Sequence, residues 1–197
     1  MILVVNAGSS SIKVALFQPD LIRVMAGQVS GIGGAPAHIK LGNDDRDIAA
    51  PDHDAALTAI LASLAQQGIN PDQLSAVAHR VVHGGTSLVD PQLITDAVME
   101  GIEDATPLAP LHNPKNRAGI RALQTLAPGV PQYASFGTAF HASQPEVSTA
   151  YALPKEPRAA GIRRYGFHGL SYAWIVTQFG ADLPSRLLAM HLGSGAS

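Results

Sequence analysis

Several groups of residues that could bind an anion lie far apart in the chain. The first is the turn at residues 6–13, where Asn6, three serines and Lys13 interrupt an apolar run. Successive backbone N–H groups in a Gly/Ser turn form a concave anion site, and hydroxyl groups and a nearby lysine add donors. A phosphate suits this combination. The turn is not a Walker A loop, because that pattern is absent and a strand, not a helix, follows. A serine-decorated hairpin explains it equally well.

The other groups place an arginine or a histidine beside a turn. Arg80 precedes His83, Gly84 and Gly85 at the end of an apolar run, where its planar fork is placed to bind a carboxylate or a phosphoryl group. A structural ion pair is an equal alternative for this arginine. His112 lies in a loop bounded by prolines, and His168 lies within the sequence YGFHG. Taken singly, each of the two is most simply interpreted as a structural histidine.

Other catalytic patterns are missing. The sequence HRVVH at residues 79–83 lacks the glutamate of the zinc-protease motif, and its two valines favour a strand. No G-x-S-x-G sequence is present, so the best marker of an activated-serine hydrolase is absent. Aromatic residues make up only 5% of the chain and do not alternate with basic ones, which disfavours single-stranded nucleic-acid binding.

Composition narrows the class of protein. The chain has 197 residues, 46% of them apolar and 14% charged, which is enough for one core and the start of a second. Its net charge of -2 argues against a broad surface for nucleic acid or acidic membranes. There is no cysteine, which excludes disulfides and thiolate metal sites. No apolar run reaches the roughly 18 residues of a membrane span and no signal peptide is evident, so we predict a cytoplasmic protein without membrane contact.

Periodicity and turn residues predict the elements that position these groups. Strands are predicted at residues 2–6, 12–17, 74–82, 131–136 and 186–192, with further hairpin strands within 27–47. Helices are predicted at residues 55–67, 90–104, 113–126 and 171–179. Asp90-Pro91 and Asn113-Pro114 each have the form of an N-cap followed by proline. A β-meander followed by alternating helices and strands predicts an α/β fold with a mixed sheet, and residues 154–164 are the predicted linker.

Five stretches, in this order, make the chain resemble the acetate kinases. They are NAGSSSIK (6–13), HRVVHGG (79–85), APLHNP (109–114), IRRYGFHG (162–169) and HLGSGAS (191–197). These kinases belong to the superfamily of sugar kinases, heat-shock chaperone ATPases and actin. The resemblance spans this chain but only about the first half of an acetate kinase.

The resemblance implies a fold, a domain division and a reaction. The fold is an actin-like, ribonuclease H-like ATPase domain with a mixed sheet flanked by helices, followed by the start of a second similar domain. Residues 1–147 would form the first domain and 148–197 the first part of the second, nucleotide-side domain. The reaction is reversible, Mg²⁺-dependent phosphoryl transfer from ATP to acetate, which gives acetyl phosphate and ADP. Such transfer is mostly alignment and charge neutralisation. A homodimer is implied for the full-length parent but is not specified for this chain.

The resemblance also assigns roles to residues. Arg80 would hold the acetate carboxylate or the moving phosphoryl group, and His168, with His112 as a lesser donor, would donate to the phosphoryl oxygens. The implied pocket for the acetate methyl group consists of Val82, Leu111 and Phe167. A pocket of that kind separates substrates differing by one methylene by only about 1–3 kcal/mol, so propionate should be a poorer but real substrate. The phosphate-side residues would be Asn6, which is also nearest the metal, Ser9, Ser11, Lys13, His191, Gly193 and Gly195.

Two departures from the family pattern affect the expected activity. Gly137 stands where the family has an aspartate assigned to the Mg²⁺ and substrate-orienting network, so we expect a weakened metal site and reduced turnover. A second active-site arginine, a metal-linked glutamate and most of the adenosine pocket belong to the half of the family sequence that lies outside these residues. We therefore expect this chain alone to be inactive.

Two alternatives to acetate kinase remain. One is a propionate or butyrate kinase of the same superfamily. The other is a non-catalytic module that binds a phosphate or a nucleotide, an interpretation that Gly137 supports.

Overall fold

The computed structural model describes residues 1–193, and in them eight strands form one mixed sheet. The strands are β1 (Ile2–Ala7), β2 (Ser11–Phe17), β3 (Arg23–Ser30), β4 (Ala37–Leu41), β5 (Asp44–Ile48), β6 (Ala76–Val81), β7 (Gln92–Leu93) and β8 (Gln132–Phe136). Their order in the sheet is β5-β4-β3-β2-β1-β6-β8-β7. Strand β6 pairs in parallel with β1 and β8, and the other pairs are antiparallel. The predicted α/β class and the antiparallel pairing of the first two strands are confirmed.

The helices lie between and after the strands. They are α1 (His53–Gln66), α2 (Asp96–Asp104), α3 (Asn113–Leu126), α4 (Glu146–Thr149), α5 (Lys155–Ala159) and α6 (Gly169–Phe179). The α1 helix begins two residues before the predicted start, because Asp52 Oδ1 accepts from the Ala55 N–H at 2.8 Å and caps the first turn. Within residues 1–193, no helix is long and apolar enough to cross a membrane.

Strict alternation in the central strands gives the sheet one buried face. Leu3 and Val5 of β1, Ile12 of β2 and Val77 of β6 are buried and form a core with the apolar residues of α1 and the end of α3. Burying one such side chain contributes about 1.5–3 kcal/mol. The residues between them point to the opposite face, which therefore carries polar side chains at the ends of the central strands.

One predicted helix start and one predicted helix cap are wrong. The helix predicted from Asp90 begins at Asp96, because Thr95 caps it by accepting from the Val98 N–H at 3.3 Å. Residues 92–93 instead pair with β8 as β7. The third helix has His112 at its N-cap, since the side chain of Asn113, the predicted cap, is bonded to the backbone of His83.

The strand predicted at residues 186–192 is also wrong. Apart from Leu192, which forms a single β-bridge, these residues have no strand structure. The side chains of Leu188 and Met190 are 81% and 65% exposed. A strand needs continuous backbone pairing with a neighbour, and in residues 186–192 the structure shows such pairing only as the one bridge at Leu192.

Short helices occur at the predicted domain boundary and within the predicted linker. The α4 helix spans the boundary predicted between residues 147 and 148, and α5 lies inside the predicted linker at 154–164. The division into two domains stays a prediction.

Candidate functional site

Arg80 and Asn6 lie side by side at the edge of the sheet where the parallel strands β6 and β1 end. Nη1 of Arg80 donates to Oδ1 of Asn6 at 3.3 Å. Lys13 is the direct cross-strand partner of Asn6, and Ser135 is that of Arg80. The four residues therefore form one polar row across β2, β1, β6 and β8.

The row leads into a cleft with a volume of about 400 Å³, which we call the crevice. It is lined by Arg80, Val82, Leu108, Ala109, Pro110, Leu111, His112, Phe167 and His168. The structure thus brings together the arginine, the two histidines and the three apolar residues that were predicted from separate stretches of sequence. No acidic residue is among those that line the crevice.

The hydroxyl-rich turn lies beside the crevice and does not line it. Asn6 contacts Arg80, which lines the crevice, whereas Ser9 is exposed to solvent. The Gly8 N–H donates to the carbonyl of Ser11 at 2.7 Å and closes the turn. The buried ring of His53, the first residue of α1, lies with Nε2 2.7 Å from the carbonyl oxygen of Gly8. This histidine gave no sequence signal, yet it anchors the turn to α1.

Two buried asparagines at the start of α3 hold the strand ends in place. The Asn116 side chain donates to the Ala7 carbonyl at 2.9 Å and accepts from the Val82 N–H at 3.0 Å. The Asn113 side chain accepts from the N–H of His83 at 3.2 Å and donates to its carbonyl at 3.0 Å. These bonds position Val82 and the end of β6 at the crevice. Asn116 was not predicted as a site residue.

The segment that carries Phe167 and His168 is attached to the end of β8. The Gly169 N–H donates to the Gly137 carbonyl at 2.7 Å, and the Gly137 N–H donates to the Val81 carbonyl at 2.8 Å. A Cβ atom at Gly137 would lie only 2.8 Å from the Val82 carbonyl oxygen. Position 137 therefore has neither a carboxylate nor free space for a side chain without movement of Val82.

Aromatic contacts complete the attachment of this segment. The ring of His83 makes edge contacts with Tyr165 and Phe167, with centroids 4.6 and 5.7 Å apart. Nε2 of His141 lies 2.9 Å from the carbonyl oxygen of Phe167. His168 is the N-cap of α6 and has a φ of 55°, in the left-handed region.

The charges in the crevice favour anions. Burial lowers the pKa of the Arg80 guanidinium, which nevertheless remains charged at neutral pH because arginine side chains do not lose their proton in proteins. The pKa of His168 is lowered by burial, then by the nearby His191 and Arg80. The His168 and His191 rings stack with centroids 3.9 Å apart and planes 6° apart. A bound oxyanion would offset these repulsions and favour the protonated, donating form of His168.

The other predicted residues differ in their exposure and in whether the structure describes them. Leu111 and Phe167 are 72% and 43% exposed, so the apolar side of the crevice is open to solvent. Gly193 lies in a bend close to His191 in sequence. Gly195, predicted for a second phosphate loop, lies outside the described residues.

The residues present do not fit a Mg²⁺ site of their own. Mg²⁺ is usually held by carboxylates together with substrate phosphates. Residues 1–193 contain no cluster of three or more His, Cys, Asp or Glu side chains that could hold a metal ion. Asn6, the predicted metal residue, already accepts a hydrogen bond from Arg80 at its side-chain oxygen.

Comparison with solved structures identifies the class of protein. The fold matches an acetate kinase from Porphyromonas gingivalis with a TM-score of 0.85 and 35% identity, over 92% of this chain and 48% of that one. It matches a propionate kinase from Francisella tularensis with a TM-score of 0.89 and 32% identity, over 99% and 53% of the two chains. The chain therefore has the actin-like ATPase fold of these kinases.

Comparison of sequences identifies the family. The model of the acetokinase family matches residues 1–197, and the chain belongs to this family. It is 44% identical to the acetate kinase of Bacillus cytotoxicus over 100% of this chain and 53% of that protein. It is 43% identical to the acetate kinase of Streptomyces coelicolor over 100% and 52% of the two. The chain spans about half the length of the curated relatives it matches.

Proposed function

We propose that the chain supplies the acetate- and phosphoryl-binding wall of an enzyme that transfers a phosphoryl group from ATP to acetate, giving acetyl phosphate and ADP. The observation that supports this most is the crevice, where one guanidinium and two imidazoles meet apolar side chains that include Val82, Leu111 and Phe167. A small carboxylate with a short apolar tail matches that combination. Membership of the acetokinase family supports the same reaction.

We assign each side chain a role from the family pattern and from its position in the crevice. Arg80 binds the carboxylate or the phosphoryl oxygens through its planar fork, and Asn6 fixes one of its nitrogens. His168 and His112 donate to the equatorial oxygens of the phosphoryl group as charge develops. The apolar residues Val82, Leu111 and Phe167 contact the acetate methyl group. By resemblance to the family, Lys13 and the serines of the turn are assigned to the phosphate side, and His191 and Gly193 to the side of ATP; Gly195, assigned with them, lies outside the described residues.

We propose that the 197 residues alone do not catalyse the transfer. Among residues 1–193 no carboxylate lines the crevice, and its apolar side is exposed at Leu111 and Phe167. ATP and Mg²⁺ belong to the proposed reaction through the family, and no step is assigned to the metal because the residues here do not hold it.

A chimera tests the proposed function. Residues 1–197 would replace the matching part of the Bacillus cytotoxicus acetate kinase, and acetyl phosphate would be trapped as the hydroxamate. We expect the chimera to turn over acetate, its Arg80→Ala variant to lose most activity, and the isolated chain to show none. A chimera that folds and binds ATP but makes no acetyl phosphate would contradict the proposal.

Gly137 favours a second candidate, a module that binds phosphate or nucleotide without catalysis. Gly137→Asp in the chimera would separate the two, with Gly137→Ala as the control that adds a Cβ without a carboxylate. An increase in kcat in Gly137→Asp that is absent in Gly137→Ala would indicate a kinase weakened by Gly137. If kcat does not increase while phosphate binding is retained, the chain is a binding module.

The similarity to the Francisella tularensis propionate kinase favours a third candidate, a kinase of propionate or butyrate. The ratio of kcat/KM for acetate, propionate and butyrate in the chimera distinguishes these substrates. We expect acetate to be preferred over propionate by about 10-fold to 200-fold.

A further inference from the structure

A second, smaller cavity lies beside the segment that carries His168, and we call it the arginine pocket. Its walls come from the loop after β6, the turn after β8 and residues 163–166. The side chains that matter are Thr86, Thr138, His141, Arg163, Arg164 and Tyr165. It shares no lining residue with the crevice.

The arginine pocket carries two positive charges without a matching carboxylate. No acidic residue lines it, and within residues 1–193 neither Arg163 nor Arg164 is seen in an ion pair. By contrast, Arg46 and Arg117 pair with Asp44 and Glu103. Because both arginines line one pocket without an acidic neighbour, an anion bound there would be stabilised by their charges.

Neutral donors accompany the arginines. The Thr138 hydroxyl accepts from the Gly84 N–H at 3.1 Å, which leaves its own proton available to donate. The Thr86 side chain adds a second hydroxyl to the lining. The Arg163 guanidinium carbon lies 5.3 Å from the centre of the Tyr165 ring, a contact that limits its freedom before any ligand binds.

The size of the arginine pocket restricts the ligand. Its volume of about 60 Å³ is much smaller than the 400 Å³ of the crevice, which favours a small ligand such as a single tetrahedral anion.

The arginine pocket is joined to the crevice through His141. This ring lines the pocket, and its Nε2 lies 2.9 Å from the carbonyl oxygen of Phe167, which lines the crevice. Gly166 packs against the same ring so closely that a Cβ atom would have no room. A ligand in the pocket therefore contacts the residues that position Phe167 and His168.

We propose that the arginine pocket binds a small inorganic oxyanion of the phosphate or sulfate type, and that its occupancy fixes residues 163–168. The inference does not depend on the proposed phosphoryl transfer, because none of its residues lines the crevice.

Backbone amide NMR with inorganic phosphate as the probe tests this inference on the 197-residue chain. We expect saturable shifts of the Thr86, Thr138 and Gly166 amides, which persist in Arg80→Ala and disappear in the double variant Arg163→Gln/Arg164→Gln. The control Arg121→Gln removes a charge from α3, outside the pocket, and should keep them. Sulfate should shift the same amides.

Three outcomes would overturn the inference: no saturable shift in the unaltered chain, unchanged shifts in the double glutamine variant, or loss of the shifts in Arg80→Ala. If the glutamine variant does not fold, Arg163→Lys/Arg164→Lys replaces it. That variant keeps the positive charges but not the planar guanidinium groups. Phosphate must then shift the same amides with a lower affinity.

Discussion

Nη1 of Arg80 donates to Oδ1 of Asn6 across 3.3 Å, and this bond joins the ends of two parallel strands whose residues are 74 positions apart in sequence. The bond leaves most of the Arg80 fork free, because one of its five N–H groups suffices for it. The arginine is thus oriented by a neutral partner and keeps its full charge for a ligand.

Arg80→Ala should weaken inorganic phosphate binding in the crevice by roughly 10-fold to 100-fold, because a charge-assisted hydrogen bond is worth about 1.5–3 kcal/mol. Asn6→Ala should weaken it less, since the charge stays. The His168 and Val82 amides would report binding in an NMR titration, and Arg121→Ala serves as the control. Equal affinities in Arg80→Ala and the unaltered chain would contradict the role given to Arg80.

Asn116→Ala should destabilise the fold by about 1–3 kcal/mol for each of the two backbone groups that it leaves unpaired. Those groups are the Ala7 carbonyl and the Val82 N–H. Urea unfolding measures the loss. Gln124→Ala, at an exposed position of the same helix, should stay within about 0.5 kcal/mol of the unaltered chain. Similar losses in both variants would show that the Asn116 bonds matter little.

Gly137→Ala should destabilise the fold by about 1–3 kcal/mol, since the new Cβ would lie 2.8 Å from the Val82 carbonyl oxygen and the backbone must shift. Gly119→Ala is the matched control. Its Cβ would meet only Ala7 Cβ at 3.6 Å, and alanine in a helix is favoured over glycine by about 1 kcal/mol. We expect urea unfolding to give a lower free energy of unfolding for Gly137→Ala and a higher one for Gly119→Ala. An unchanged free energy of unfolding in Gly137→Ala would mean that Val82 moves freely.

His79 should make the protein acid-sensitive. Burial lowers its pKa to about 4, while Nε2 lies 2.7 Å from Oε1 of Gln132. The unfolded chain takes up this proton below about pH 6.5, so stability is lost as the pH falls from there to the folded pKa. Between about pH 7 and pH 5 the loss is about 2 kcal/mol. His79→Gln should flatten that dependence in urea unfolding, and an unchanged slope would contradict the assignment.

His38 should show the opposite behaviour. Hydrogen bonds to Asp47 and Asp45 raise its pKa, with Nδ1 and Nε2 at 2.9 and 2.8 Å from the two carboxylates. Its contribution to stability is present below the ordinary value of about 6.5 and is lost as the pH rises through the folded pKa. NMR titration of the ring should give a midpoint above that value, and Asp47→Asn should lower it. A midpoint that does not move in Asp47→Asn would rule out this pairing.

The sequence predicted the local elements better than their ends. Alternating and helical patterns predicted β1, β2, α1, α3 and β8 to within a few residues. The helix start at Asp90 was wrong, because the pairing of residues 92–93 with β8 is a long-range contact that no local pattern contains. The strand at 186–192 was wrong for a related reason, since apolar residues form a strand only beside a partner.

The residues of the crevice were predicted from the five ordered stretches that resemble the acetate kinases, and not from the spacing of residues within the chain. The roles of Asn116 and His53 could not be predicted, because each depends on a side chain that bonds to the backbone of a distant element. The arginine pocket could not be predicted either. Its residues come from three separate loops, and in sequence the Arg163-Arg164 pair is indistinguishable from ordinary surface charge.

The backbone of His168 has a conformation that is unfavourable for a residue with a side chain. A φ of 55° is uncommon for any residue with a side chain, and holding one there costs of the order of 1 kcal/mol. Glycine would remove that penalty and would also remove the ring. The protein therefore gives up some local stability at the first turn of α6 in order to present an imidazole at this point, and selection for folding alone would favour a different residue there.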